Sequence, residues 1–115
     1  KFLEQRTRGE PLTIVPDGTQ SRDFTHVLDV VEANILAAGS GKVGQGEVVN
    51  VGAGRDRSIL ELAGLIGGER VFIEPRIEPR RTLADISRAR ELLGWEPKVA
   101  FEDGIAELKK LHGIS

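Results

Sequence analysis

Cysteine, methionine and tyrosine are all missing from this 115-residue chain, and one tryptophan and four phenylalanines are its only aromatic residues. Without cysteine there is no disulfide, no Cys-ligated zinc and no thiol nucleophile. Without tyrosine there is no phenolate to act as a general base. No apolar run approaches the roughly 20 residues that cross a bilayer, and no charged-then-apolar segment opens the chain. Neither a membrane span nor a signal peptide is therefore expected, and the default compartment is the cytoplasm. An excess of one charge is also lacking: 16 basic residues face 18 acidic ones, leaving a net charge of −2. Affinity for a polyanion comes from surplus Lys and Arg, so nucleic acid is not an expected partner. Position 1 is Lys, not Met, and Phe2-Leu3 already read as the middle of a helix. The expectation is a piece of something longer.

What is present reads as alternating helices and strands, hence a small sheet with flanking helices of the α/β class. Lys1 to Arg8 reads as the end of a helix stopped by Gly9, and Leu12 to Val15 has strand composition. Pro16-Asp17-Gly18 is turn chemistry. Phe24 to Val27 is expected to be a second extended piece, followed by a helix over 28–38 with a buried stripe. Gly39 to Gly46 forms a connector, and Glu47 to Val51 is expected to be a strand buried on both faces. Ser58 with Glu61 three residues on spells a capping box for a helix that Gly67-Gly68 ends. Val71 to Glu74 is another expected strand, leading into the arginine-rich segment Pro75 to Arg81. Asp85 can cap a helix to Leu93 closed by Gly94, and Phe101, Ile105 and Leu108 stripe a last helix.

Two glycine patterns invite a nucleotide-binding reading and fail it. Gly39-Ser-Gly41-Lys-Val-Gly44 has the letters of a dinucleotide fingerprint, but it follows a helix and precedes a strand, the reverse of what a pyrophosphate site needs. It is not a phosphate loop either, because Leu36 stands where the first glycine belongs. Gly52-Ala53-Gly54 lies between a strand and a helix, but Arg57 occupies the third glycine position, so a tight turn is the expectation. His26 and His112 have no neighbour at metal-ligand spacing, and no metal is expected. Asp23 and Asp29 sit where they can cap the next helix or brace Arg22, and capping is the expectation for Asp29.

The loop arginines carry the chemistry. Arg22 follows a turn and precedes Phe24, so its guanidinium is presented from a fixed backbone position, and its planar fork suits a diphosphate. Arg76, Arg80 and Arg81 form a second cluster. From spacing alone, a surface salt-bridge set with Glu74 and Glu78 accounts for that cluster slightly better than ligand binding does.

The segment from Gly9 through Phe24, with His26-Val27 and Asp29 to Ala33, resembles the C-terminal half of nucleotide-sugar epimerases and dehydratases of the extended short-chain dehydrogenase/reductase family. Asn50-Val-Gly52, the Ser58 to Leu62 helix, Ala84 to Ser87 and Leu93 to Pro97 follow in that family's order, so the resemblance covers nearly the whole chain. Within the family it most suggests the 4-epimerases of UDP-glucose and UDP-galactose. It implies an N-terminal Rossmann domain, outside this chain, that holds NAD and a Tyr-x-x-x-Lys catalytic pair. The present segment would grip the nucleotide diphosphate of the sugar, carrying no catalytic residue of its own and, alone, having no activity. By position Arg22 looks like the arginine that contacts the diphosphate. Leu12 to Val15, with Thr13 and Val15, correspond to the stretch whose backbone lies against the uracil. Arg76 and Glu78 resemble an element in which arginine meets phosphate and the acid meets ribose. Pro16 departs from the family's Gly-Asp-Gly, and the second element is one residue short, which leaves Arg76 and Arg80 as alternatives. The implied partners are a nucleotide-sugar and the Rossmann domain, against which the 28–38 helix and the 47–51 strand would pack, with a homodimer open to the full-length protein. Dehydratases and reductases of the same family remain as alternatives, as does a non-catalytic binding or structural domain.

Overall fold

The computed structural model describes residues 1–115, an elongated body of 49 × 32 × 17 Å. Helix α1 (Phe2–Thr7) ends before Gly9, whose φ of +70° is the left-handed conformation a glycine terminator supplies. Strand β1 (Leu12–Ile14) follows. After the turn around Gly18, the two-residue strand β2 (Ser21–Arg22) pairs antiparallel with β3 (Arg57–Ser58), opposing Ser21 to Ser58 and Arg22 to Arg57. Helix α2 spans Val27–Gly39 and helix α3 spans Ile59–Ile66. Strand β4 (Arg70–Phe72) returns parallel to β1 in the register Leu12↔Arg70 to Ile14↔Phe72. A π-helical turn over Ala89–Leu93 and helix α4 (Phe101–Leu111) complete the chain. The α/β class holds, but the strands form two separate two-stranded ladders where one small sheet was expected.

The apolar residues divide into two clusters. Leu12 and Ile14 of β1 are fully buried and pack with Ala63 and Ile66 of α3 and Ile105 of α4. The burial of each such side chain stabilises by about 1.5–3 kcal/mol. Ala33 of α2, Ile86, Ala89 and Trp95 form the second cluster, with Val49 and Val51 against it. The second cluster is also tied by a polar contact. Trp95 is buried and donates its indole N–H to the carbonyl of Asp29 at 2.9 Å.

Local signals are realised where the structure needs only neighbours in sequence. The Ser58 hydroxyl accepts from the Glu61 amide at 3.0 Å, while the Glu61 carboxylate accepts from the Ser58 amide at 2.6 Å, which closes the capping box. Asp85 accepts from the amide and hydroxyl of Ser87, and Gly94 at φ +63° ends the π-helical turn. Gly18 has φ +87°, and a Cβ there would come within 2.8 Å of Leu60, so turn conformation and close packing both require glycine.

Three expectations are corrected. Residues 47–51 form no strand: they make no backbone–backbone hydrogen bond, because a ladder needs a partner edge and their neighbours are α2 and the π-helical turn. Nor are they buried on both faces, since Val49 and Val51 are half-buried whereas Val48 is exposed. The extended piece expected at Phe24 to Val27 lies earlier, at Ser21–Arg22, since β3 pairs there and α2 begins at Val27. Asp29 is not a cap. His26 caps α2, its Nδ1 accepting from the Leu28 amide at 3.1 Å, and Asp29 is buried with its two carboxylate oxygens accepting from the amides of Lys98 and Val99. A fourth is shifted and shortened: the strand expected at Val71 to Glu74 runs Arg70–Phe72 as β4, starting one residue and ending two residues earlier.

Candidate functional site

The turn after β1 is joined to Val15 and Glu78 in one network through Gln20. This glutamine is buried; its Oε1 accepts from the Gly18 amide at 2.8 Å, and its Nε2 donates to the Val15 carbonyl at 3.0 Å and to the Glu78 carboxylate at 2.7 Å. Glu78 in turn lies 3.7 Å from the Arg22 guanidinium and 3.5 Å from Arg76. Arg22 and Arg76, 54 positions apart in sequence, thus share one carboxylate.

Arg22 leaves β2 with its side chain only 24% exposed, and one of its five N–H groups donates to the Ser21 carbonyl at 2.7 Å. Its remaining donors engage no other acceptor of the chain. Arg76 is the outer arm, 63% exposed, with Glu78 as its ion-pair partner. Arg80 lies against the turn, pairing with Asp17 at 3.0 Å and donating to the Thr19 hydroxyl. Arg81 pairs with Asp56 at 2.7 Å. Hydrogen bonds from Thr19 first, and then from Arg80, hold the Asp17 carboxyl below the usual carboxylate range. Arg81 first, and then the Ser21 hydroxyl, do the same for Asp56.

Thr13 and Val15 form the inner edge of this region. The Thr13 hydroxyl accepts from Gln5 Nε2 at 3.0 Å and its amide donates to Gln5 Oε1 at 3.3 Å, which ties α1 to β1. Val15 contributes the carbonyl that Gln20 holds. Sequence reasoning missed Gln20, because a neutral amide makes no pattern with its neighbours. Asp23, expected to cap the next helix or brace Arg22, instead accepts from the Ala53 amide at 2.7 Å and from the Gly54 and Ala84 amides at 3.1 Å each.

Two grooves lie elsewhere, one of about 310 Å³ and one of about 430 Å³, on either side of the stacked Phe24 and Phe101 rings, which are 5.2 Å apart. Neither is lined by Arg22, Arg76 or Glu78. Chemically, the network offers two guanidinium forks, one held from the backbone, beside a single carboxylate. That set binds a polyanion with adjacent hydroxyls better than it binds a metal.

Residues 2–108 match the GDP-mannose 4,6 dehydratase family. The chain belongs to that family, whose members are nucleotide-sugar epimerases, dehydratases and related enzymes of the extended short-chain dehydrogenase type. Among curated relatives it is 42% identical over 113 residues to the UDP-glucose 4-epimerase of Mycolicibacterium smegmatis, covering 92% of this chain and 36% of that protein. It is 36% identical to UDP-glucuronic acid decarboxylase 3 of Arabidopsis thaliana, covering 90% and 32%. The fold agrees with a UDP-glucose 4-epimerase from Thermotoga maritima solved with UDP-glucose, at a TM-score of 0.80 and 40% identity over 90% of this chain and 35% of that one. It also agrees with a UDP-glucuronic acid 4-epimerase from Bacillus cereus solved with UDP-glucuronic acid and NAD, at a TM-score of 0.84 and 34% identity over 96% and 38%. The chain spans about a third of the length of the relatives it matches.

Proposed function

We propose that this chain is the nucleotide-sugar-binding part of a longer NAD-dependent 4-epimerase acting on UDP-glucose and UDP-galactose. The observation that carries the reading is the convergence of Arg22, Arg76 and Glu78 beside β1. Arg22 and Arg76 bind the diphosphate, Glu78 receives the ribose hydroxyls, and Thr13 and Val15 border the base through their backbone. Surface ion pairs such as those of Glu78 contribute only about 0–1 kcal/mol, so a diphosphate displaces them at little cost. The epimerases among the relatives favour this reaction. The decarboxylases support a second reading, in which UDP-glucuronic acid is the substrate.

The residues present do not fit NAD. The amides of Ala53 and Gly54, which would face a phosphate in a cradling loop, are already given to Asp23, and the Gly39 to Gly44 connector follows α2 instead of opening a helix. NAD and the catalytic pair belong to a Rossmann domain preceding this segment. That domain covers the side of the chain where Val27, Leu28, Val31 and Ile35 of α2 and the nearby Val48 are exposed, an apolar surface that a soluble protein rarely leaves to water. This chain binds and orients the nucleotide, and none of its residues touches the reacting carbon.

The test is calorimetric titration of UDP into the full-length protein and its Arg22→Ala variant, with a thermal melt of each. Loss of hydrogen bonds to a charged group should weaken UDP binding by roughly 1.5–3 kcal/mol. Lysine should restore only part, since a point charge does not reproduce the fork. Unchanged UDP affinity with a lowered melting temperature would make Arg22 a structural salt-bridge residue. Product analysis with UDP-galactose and with UDP-glucuronic acid separates epimerase from decarboxylase.

A further inference from the structure

We propose that Asp23 is the positioning residue of the nucleotide site: through one carboxylate it sets Arg22 against the loop that carries Arg76 and Glu78, without touching the ligand. The proposal rests on the diphosphate reading of Arg22. Strand β2 is two residues long and pairs with a strand of two residues, a ribbon too short to fix the direction of a side chain at its end. The chain leaves that ribbon at Asp23. There the carboxylate takes four donors: Oδ1 accepts from the Ala53 amide at 2.7 Å and the Thr25 hydroxyl at 3.3 Å, and Oδ2 accepts from the Gly54 and Ala84 amides at 3.1 Å.

The three amide donors come from two segments with different consequences. Ala53 and Gly54 belong to the turn that leads into β3, so the first pair fixes the strand lying against Arg22. Ala84 follows the arginine-rich loop, so the second contact anchors the end of the segment that presents Arg76 and Glu78. The start of that anchor is reinforced by Ser21, whose amide donates to Arg80 and whose carbonyl accepts from Thr82. No cation pairs with Asp23; its charge is answered by backbone N–H donors, in strong and directional charge-assisted hydrogen bonds. Gly52 makes room for this arrangement, since a Cβ there would lie 2.7 Å from the Asp23 carboxylate and 2.5 Å from the Ala84 Cβ.

Asp23→Asn keeps the shape and turns one oxygen into a donor that faces a donor, so one side of the tether opens. In the full-length protein this variant should bind UDP roughly five- to a hundredfold more weakly, the scale of a misplacement of about an ångström at a binding group. In an Arg22→Ala background the same change should cost clearly less affinity, because the part of the effect that runs through Arg22 is already gone and only the part that runs through the Arg76 and Glu78 segment is left. Asp29→Asn is the matched control: it damages an equivalent carboxylate–amide tie that joins α2 to Lys98 and Val99 and makes no contact with Arg22 or the arginine-rich loop, and it should lower the melting temperature while leaving UDP affinity as in the wild type. Gly52→Ala, which crowds the carboxylate without removing it, should weaken UDP in the same direction and replaces Asp23→Asn if that variant does not fold. Wild-type UDP affinity in Asp23→Asn, or an equal fold loss in both backgrounds, overturns the positioning role. Wild-type UDP affinity in Arg22→Ala overturns the diphosphate reading itself, and the positioning role with it.

Discussion

Replacing Asp29 by asparagine tests what holds the two apolar clusters together. The side chain is 3% exposed; Oδ1 accepts from the Lys98 amide at 3.0 Å and Oδ2 from the Val99 amide at 3.1 Å. An asparagine retains one oxygen and presents an NH₂ where the other stood, so one buried backbone N–H loses its acceptor and meets another donor. A buried donor left unsatisfied costs about 1–3 kcal/mol. At the roughly 4 °C per kcal/mol that suits a domain of this size, the melting temperature should fall by about 4–12 °C. The assay is a thermal melt of the 115-residue chain, with hydrogen exchange at Lys98 and Val99 read residue by residue. Exchange at one of these two amides should accelerate most. A melting temperature within a degree of the wild type, with unchanged exchange at both, would show that the tie between α2 and the 95–99 segment carries no stability and would refute the reasoning.

Ser58→Ala opens the capping box of α3 and should cost about 1 kcal/mol of stability while leaving UDP affinity in the full-length protein unchanged, as melts and titrations would read. The 115-residue chain should not interconvert UDP-galactose and UDP-glucose, because it has no tyrosine and no glycine turn fitted to NAD; turnover by the pure chain would refute this. Asp17 and Asp56 have carboxyl groups held below the usual range, by Thr19 and Arg80 and by Arg81 and Ser21 respectively. A depressed pKa makes their contribution fully present above about pH 5 and progressively lost as pH falls through the folded values. Exchange protection at Ser21 and Thr82, corrected for intrinsic rates, should therefore be flat from pH 7 to 5 and decline only in more acidic solution.

The parts of this fold that could be read from sequence are those decided within a few residues. Ser58 and Glu61 satisfy each other three positions apart, and Gly9 and Gly94 supply a positive φ where a helix ends, so local chemistry announces both. Asp29 shows where that reasoning stops. An acid near a helix start is ordinarily a cap, but the helix begins at Val27 and His26 fills the cap position, while the carboxylate reaches amides 69 and 70 residues away. Val48 to Val51 failed for a related reason: alternation reports a strand's faces but not whether a partner edge is within reach. The candidate arginines stood out because their charge and loop setting are visible in one dimension. Gln20, which links Val15 to Glu78, and Asp23, which holds three distant amides, have meaning only once the chain has folded around them.

The ion pairs of Glu78 differ from the shortest ones of this chain, and the difference bears on the proposed function. Arg81–Asp56, Arg57–Glu102 and Lys98–Glu32 close to 2.7–2.8 Å, within hydrogen-bonding distance. Arg22–Glu78 and Arg76–Glu78 stand at 3.7 and 3.5 Å, and neither guanidinium donates a hydrogen bond to Glu78. The acid is instead occupied by Gln20 at 2.7 Å. Glu78 therefore attracts both forks without consuming their donors, and Gln20 keeps it in place when they turn elsewhere. A site built this way has already lost much of the side-chain freedom that binding would otherwise remove, and breaks few hydrogen bonds when an anion arrives. Had the pairs closed to 2.7 Å, each arginine would have to surrender a charge-assisted bond before making another. On the proposed reading, the long Glu78 pairs leave both forks free to exchange partners, whereas the short pairs hold the loop and helices in place.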